Sequence, residues 1–275
     1  MMLSDDTWEC WRYYGRVWSK IYEKTGIPIL IFWRAPSFAT DKDIRTFAKK
    51  YKKLRKHYPL LPKYPHGICL YDEPKPDQIF GCSEQMGIVE LTQKLKLKYP
   101  KTFLYCNFLY TSIKDIDVCK VIGNSDLDYI SSDEYFDVPL ENYIETYKTN
   151  LYPNLKEHQK IFLLPYAAYD EGSKPNVHIS AHIADSYCFS TSRSSARSYA
   201  EWMHQDSRIH GMMVYRLKNL WWCGNGDILK NPQGTGLGLV DRKPNGEYVL
   251  KDTVKFYQKM GYYWTVNRMK ANKFV

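Results

Sequence analysis

The sequence lacks the patterns that mark several large classes of protein. It has no run of about 18 apolar residues, so it predicts no transmembrane helix. No basic start with a following apolar stretch opens the chain, which argues against a signal peptide and favours a cytoplasmic location. There is no HExxH motif, no Cys/His finger and no Gly-x-Ser-x-Gly elbow. The residues therefore give no support to a zinc enzyme, a zinc finger or a serine hydrolase.

Paired cysteines are also missing. The seven cysteines are scattered, and no two are spaced as CxxC. Cys69 and Cys106 lie inside apolar, strand-like segments, where a thiol behaves as a small hydrophobic group. The pattern predicts reduced thiols rather than a disulfide framework or a metal site.

Acidic residues are outnumbered, and the formal net charge is +9. Much of the excess lies in KKYKKLRKHY, residues 49–58. On a helix, Phe47, Tyr51 and Leu54 share the inner side and the charges face solvent. A solvated helix face is the favoured interpretation, and a surface for nucleic acid or acidic glycan is the alternative.

Helical and apolar strand-like segments alternate along all 275 residues. We expect one domain over residues 1–275, with strands at residues 27–33, 67–73, 102–108, 127–135, 160–167, 211–217 and 236–241. This alternation predicts an α/β fold with a parallel sheet. No Gly-rich phosphate loop follows any strand, so a (β/α)8 TIM-type barrel is favoured over a Rossmann sheet. The chain opens with a helix, so we expect the first barrel strand to be atypical or missing.

Polar and aromatic residues gather where the predicted strands end, which in a barrel is the rim that carries active sites. Asp72, Glu73 and Pro74 follow one strand, and Asp133 and Glu134 follow another. Two carboxylates from different strands facing one cleft are what glycoside hydrolysis needs. For Asp-Glu-Pro alone, a turn with a helix cap is the alternative.

Six segments in this order resemble the TIM-barrel glycoside hydrolases, and more closely β-galactosidase-like and cellulase-like barrel proteins. The segments are GICLYDEP, TFLYCNFLY, LDYISSDEYF, KIFLLPYAAY, RIHGMMVYRL and GLGLVDRKPNGEYVLKDTVKFY. The resemblance implies that Glu73 is the acid/base carboxylate with Asp72 beside it. It also implies that Asn107 positions substrate and that Asp133 is the functional aspartate of its strand.

The resemblance leaves the second carboxylate to be chosen. The well-studied retaining barrels carry glutamates on the fourth and seventh strands, and GMMVYRL has none. The pair is therefore Glu73 with Asp133 or, as a weaker choice, Glu134. A separation of roughly 5 to 5.5 Å predicts retention, and roughly 6.5 to 9.5 Å predicts inversion.

The favoured function is hydrolysis of a carbohydrate substrate with no cofactor and no metal ion. The residues expected to hold the sugar are Trp33, Arg34, Asn107, Tyr135, Tyr166, Tyr215 and Trp221. The first alternative is a barrel that binds glycan without hydrolysing it. The second alternative, less favoured, is a basic protein that binds nucleic acid.

Overall fold

The computed structural model describes residues 8–26, 30–33, 39–133, 140–164, 168–171, 199, 201–212 and 235–238. The chain divides into two compact units. The first comprises Met1–Asp133 and Glu141–Phe162, and the second comprises Glu134–Leu140 and Leu163–Val275. The prediction of one domain over residues 1–275 stays a prediction. Among the described helices, none is both long enough and apolar enough to cross a membrane.

Helices and strands alternate through the first unit as the sequence predicts. Its helices are α1 (Trp8–Thr25), α2 (Asp41–His57), α3 (Pro76–Phe80), α4 (Ile88–Lys98), α5 (Tyr110–Ile113), α6 (Ile116–Asn124) and α7 (Leu140–Thr146). A π-helical turn, Tyr147–Leu151, and a 3₁₀ turn, Tyr152–Asn154, follow α7. Its strands are β1 (Leu30–Phe32), β2 (Gly67–Asp72), β3 (Phe103–Leu109), β4 (Tyr129–Asp133) and β5 (Lys160–Leu163).

These five strands are parallel and hydrogen-bonded in chain order, from β1 to β5. The central strands are buried along most of their length, with Ile68, Leu104 and Ile130 each 0% exposed. Burial on both faces explains why the segments are continuously apolar rather than alternating. Because the strands are parallel and neighbouring, their carboxyl ends lie along one edge of the sheet.

The described strands of the sheet lie within a few residues of the predicted ones. Helix α2 begins at Asp41, and its N-cap is Thr40, whose side chain forms a capping box with that of Asp43. Helix α4 begins at Ile88. The short helix α3 was not predicted, since its five residues are too few to show a period.

An aromatic cluster forms the core between α1, β1, α2 and α4. Phe47 lies at its centre and is 1% exposed. Its ring centroid is 5.5 Å from that of Trp11, 4.9 Å from Trp33, 6.4 Å from Tyr51 and 6.0 Å from Tyr99. The predicted inner face of α2 is confirmed, since Phe47, Tyr51 and Leu54 are all buried.

The carboxyl end of α6 is held by two side chains from the segment before β5. Lys156 Nζ donates to the carbonyls of Asn124 and Ser125 at 3.2 and 2.8 Å. Gln159, 0% exposed, donates to the carbonyl of Ile122 at 3.0 Å. A cation there also complements the negative end of the helix dipole.

The second unit contains strand β7 (Ile209–Met212) and a ribbon of β6 (Ala168–Glu171) with β8 (Thr235–Gly238). The ribbon is antiparallel, with Tyr169 opposite Leu237. This corrects one expectation, because the strand at residues 236–241 was expected to be a parallel barrel strand. The pairing joins segments far apart in sequence, which local patterns do not reveal.

Candidate functional site

One polar residue from each of three neighbouring strands lies in a single row near the carboxyl edge of the sheet. Asp72 of β2 is opposite Asn107 of β3, and Asn107 is opposite Ser131 of β4. Asp72 is exposed, whereas Asn107 and Ser131 are 4% and 0% exposed. The row therefore runs from the sheet interior to a solvent-accessible carboxylate.

A β-bulge in β2 brings Asp72 into this row. Cys69 pairs with Tyr105 and Asp72 pairs with Asn107, so three steps along β2 match two steps along β3. Since successive side chains of a strand alternate between faces, Asp72 would otherwise share a face with Leu70. The extra residue turns the carboxylate to the face of Tyr105 and Asn107, a re-aiming that bulges commonly perform beside active sites.

Hydrogen bonds link the row into a chain that ends at Asp72. The Tyr105 hydroxyl lies 2.6 Å from Ser131 Oγ. Ser131 donates to Asn107 Oδ1 at 2.6 Å, and Asn107 Nδ2 donates to Asp72 Oδ1 at 2.9 Å. Tyr105 is 2% exposed, so the far end of this chain is excluded from solvent.

Glu73, the next residue, has a backbone conformation that side chains rarely adopt. Its φ is +56°, and it is the one described residue other than glycine with a positive φ. Its N–H donates to the Asn107 carbonyl at 2.8 Å, and Pro74 follows immediately. Such strain persists where the surroundings impose it, and it clusters at functional sites. The Glu73 side chain is exposed and makes no hydrogen bond or ion pair with the described residues.

We expect Glu73→Gly to stabilise the protein. Relief of the left-handed conformation is worth about 1–2 kcal/mol, and the freer unfolded chain of glycine opposes it by about 0.4–1 kcal/mol. The free energy of unfolding in urea should rise by about 0.5–1 kcal/mol. Glu73→Ala is the matched control, because it removes the same side chain and keeps the strain. An alanine variant as stable as the glycine variant would contradict the prediction.

The other face of β4 carries a separate hydroxyl cluster. Ser132 Oγ lies 2.7 Å from the Tyr143 hydroxyl and 2.8 Å from the Tyr147 hydroxyl. Tyr143 also donates to the Ser132 carbonyl at 2.6 Å. The two adjacent serines of β4 therefore bond on opposite faces of the sheet. Ser131 bonds within the candidate site, and Ser132 bonds to helix α7 and to the turn after it.

The two thiols of the central strands are unsuited to act as nucleophiles. Cys69 and Cys106 are free and 0% exposed. Burial raises the pKa of both thiols well above the usual value, and the nearby Asp72 carboxylate raises each pKa further. Because the thiolate is the reactive form, the raised pKa values make both thiols poor nucleophiles.

The structure brings Asp72, Glu73 and Asn107 together as adjacent residues of β2 and β3. Asp133 ends β4, two residues beyond Ser131 and opposite Leu109. Trp33 is 6% exposed and packs against Phe47, and its predicted stacking on sugar stays a prediction. The remaining predicted site residues lie outside the described part of the chain: Arg34, Glu134, Tyr135, Tyr166, Tyr215 and Trp221.

Sequence reasoning missed Ser131 and Tyr105. A signal for Ser131 was present, since two serines interrupt an apolar strand just before Asp133. Tyr105 gave no signal, because a tyrosine within FLYCNF is what any buried strand could contain. Both become part of the site only through strand register.

Comparison with known proteins shows similarity of fold without similarity of sequence. No protein-family profile and no curated protein matches the chain. The catalytic core of a xylanase A matches 93% of this chain and 84% of its own, at TM-score 0.53 and 14% identity. A β-D-glucuronidase from Dictyoglomus thermophilum matches 89% of this chain at TM-score 0.51 and 10% identity. The likeness is to TIM-barrel glycosidases and concerns the fold alone.

A Ruminococcus gnavus β-glucuronidase is also similar, at TM-score 0.48 and 11% identity over 86% of this chain. The chain spans 43% of the Dictyoglomus protein and 41% of the Ruminococcus protein, less than half of either.

Proposed function

We propose that the protein is a glycoside hydrolase in which Glu73 is the general acid. The observation that carries the proposal is the placement of Asp72 and Glu73 at the carboxyl end of β2, beside Asn107 of β3. In a barrel of this type, the groups that act on substrate are found at this end of the strands. The fold, which resembles TIM-barrel glycosidases, agrees with that chemistry.

The proposed reaction uses carboxylates on two strands. Glu73 is exposed, and within the described chain no partner ties its side chain, so its carboxyl is free to approach the glycosidic oxygen of a bound substrate. Asp133 at the end of β4 is the proposed second carboxylate, as nucleophile or as the base that activates water. Glu134 is the weaker choice for that role. The proposed substrate is a carbohydrate, and the reaction needs only these side chains and a water molecule.

A hydrolysis screen tests the proposal. The chain is incubated with a panel of 4-nitrophenyl α- and β-glycosides and with soluble polysaccharides, and product is followed by absorbance and reducing-sugar assay. For any substrate that turns over, the anomer first formed is identified by NMR, which reports retention or inversion. An absence of turnover on every substrate, from protein shown to be folded by circular dichroism, would refute hydrolysis.

The second candidate is a glycan-binding barrel without hydrolytic activity. The observation that favours it is that the sequence GMMVYRL, predicted as a strand, lacks the carboxylate that the well-studied retaining barrels carry there. Titration calorimetry with the same polysaccharides separates the candidates. Saturable binding by a chain that hydrolyses nothing supports this second function.

A further inference from the structure

The buried hydrogen-bond chain has a direction, which follows from counting hydrogens. A serine hydroxyl has one hydrogen, and that of Ser131 goes to Asn107 Oδ1. In the 2.6 Å contact with Ser131 Oγ, the hydrogen must therefore come from the Tyr105 hydroxyl. Asn107 then presents its Nδ2–H to Asp72. Every donor points from the interior toward the carboxylate.

The reverse direction is chemically inconsistent with an ionised Asp72. If the Asn107 amide were flipped, Nδ2 would donate to Ser131 and Oδ1 would face Asp72 Oδ1. Two acceptors would then meet at 2.9 Å unless the carboxyl carried a proton. With the amide as the structure has it, Asp72 Oδ1 is a hydrogen-bond acceptor, and the two hydroxyls upstream donate along the chain toward it.

Glu73 lies next in sequence but outside this chain. The backbone N–H of Glu73 donates to the Asn107 carbonyl. Asn107 therefore holds both acidic residues, Asp72 through the Asn107 side-chain amide and Glu73 through the Asn107 backbone carbonyl. Asp72 Oδ1 accepts from the Asn107 amide, whereas the Glu73 side chain is exposed and has no partner among the described residues.

We infer that Tyr105 and Ser131 are positioning residues that give the two adjacent carboxylates different roles. They act through Asn107 to hold the Asp72 carboxylate in a fixed orientation at the site, while Glu73, which lies outside the chain, keeps the proposed role of acid. The inference rests on the proposed function for its kinetic consequence. A preoriented negative group of this kind is suited to a transition state that carries positive charge on the sugar.

Adjacent serines provide the matched experiment. Ser131→Ala breaks the chain, and Ser132→Ala removes an equally buried hydroxyl of the same strand that serves α7. We expect Ser131→Ala and Tyr105→Phe to lower kcat roughly 10- to 100-fold with KM within about threefold, since small misplacements at a site have effects of this size. Ser132→Ala should leave kcat within about twofold, and Ser131→Thr, which retains the hydroxyl, should recover most of the rate. Equal kcat values for Ser131→Ala and Ser132→Ala would overturn the inference.

A spectroscopic measurement tests the chain without reference to activity. The side-chain amide peak of Asn107 in a nitrogen–proton correlation spectrum is assigned from its loss in Asn107→Ala. We expect Asp72→Ala and Ser131→Ala to move this peak, and Ser132→Ala to leave it in place. A peak that is unaffected by both Asp72→Ala and Ser131→Ala would overturn the inference. A parent without any hydrolytic activity that still shows these peak shifts would refute the proposed function and leave the positioning chain intact.

Discussion

Glu73→Gln should lower kcat/KM by at least about 100-fold on a substrate with a poor leaving group, since positioned acid–base catalysis contributes about 10²–10⁴-fold. Glutamine keeps the size of the side chain and the strained backbone, but it has no acidic proton. The loss should therefore fall on the rate, with little change in the free energy of unfolding. Steady-state kinetics and urea denaturation of the same preparations check both halves of the expectation.

The leaving group gives this experiment its diagnostic power. A 4-nitrophenolate departs without protonation, so a 4-nitrophenyl glycoside should lose much less rate than an alkyl glycoside of the same sugar. Glu84→Gln is the matched control, because Glu84 is exposed in the segment after α3 and lies outside the row. An equal loss on both leaving groups would show that Glu73 acts otherwise than as an acid.

The largest effect on stability should come from Phe47→Ala, at about 3–5 kcal/mol. The ring is 1% exposed and lies against the rings of Trp11, Trp33, Tyr51 and Tyr99. Removing the ring leaves a cavity where α1, β1, α2 and α4 meet. The surrounding rings can relax only partially into that cavity. Since domains are stable by roughly 5–15 kcal/mol, the variant should lose a large share of its stability.

Urea denaturation followed by tryptophan fluorescence measures this loss. Leu97→Ala is the matched control, because Leu97 is 86% exposed on α4 and its removal should change stability by less than about 0.5 kcal/mol. The loss of stability in Phe47→Leu should lie between the losses in Phe47→Ala and Leu97→Ala. A cost below about 1 kcal/mol for Phe47→Ala would mean that the cluster is not the core that its geometry indicates.

Local pattern was sufficient to predict the parallel strands and the inner face of α2. Period and composition decide such features, and they are visible within one segment. The sequence also placed Asp72 and Glu73 at a strand end, because a proline and two carboxylates rarely continue a buried strand. The cap of α2 could have been found from Thr40 and Asp43, which are spaced as in a capping box.

The rest of the site depends on relations between strands. The partners of Asn107 follow from the register of β2, β3 and β4, and that register includes a bulge between Cys69 and Asp72. A bulge inserts one residue without a distinctive local signature, so the face on which Asp72 lies could not be derived from β2 alone. The antiparallel pairing of β6 with β8 was missed because it joins segments that are far apart in sequence.

The paired serines of β4 also bear on the alignment of the strand with its neighbours. Sliding β4 by one residue in one direction would place Ser132 opposite Asn107 and Asp133 in the position of Ser132, and sliding it in the other direction would place Ile130 opposite Asn107. In either direction one of the two hydroxyl clusters would receive a residue other than serine. A single-residue insertion or deletion between Tyr129 and Asp133 should therefore be more damaging than a substitution of either serine alone.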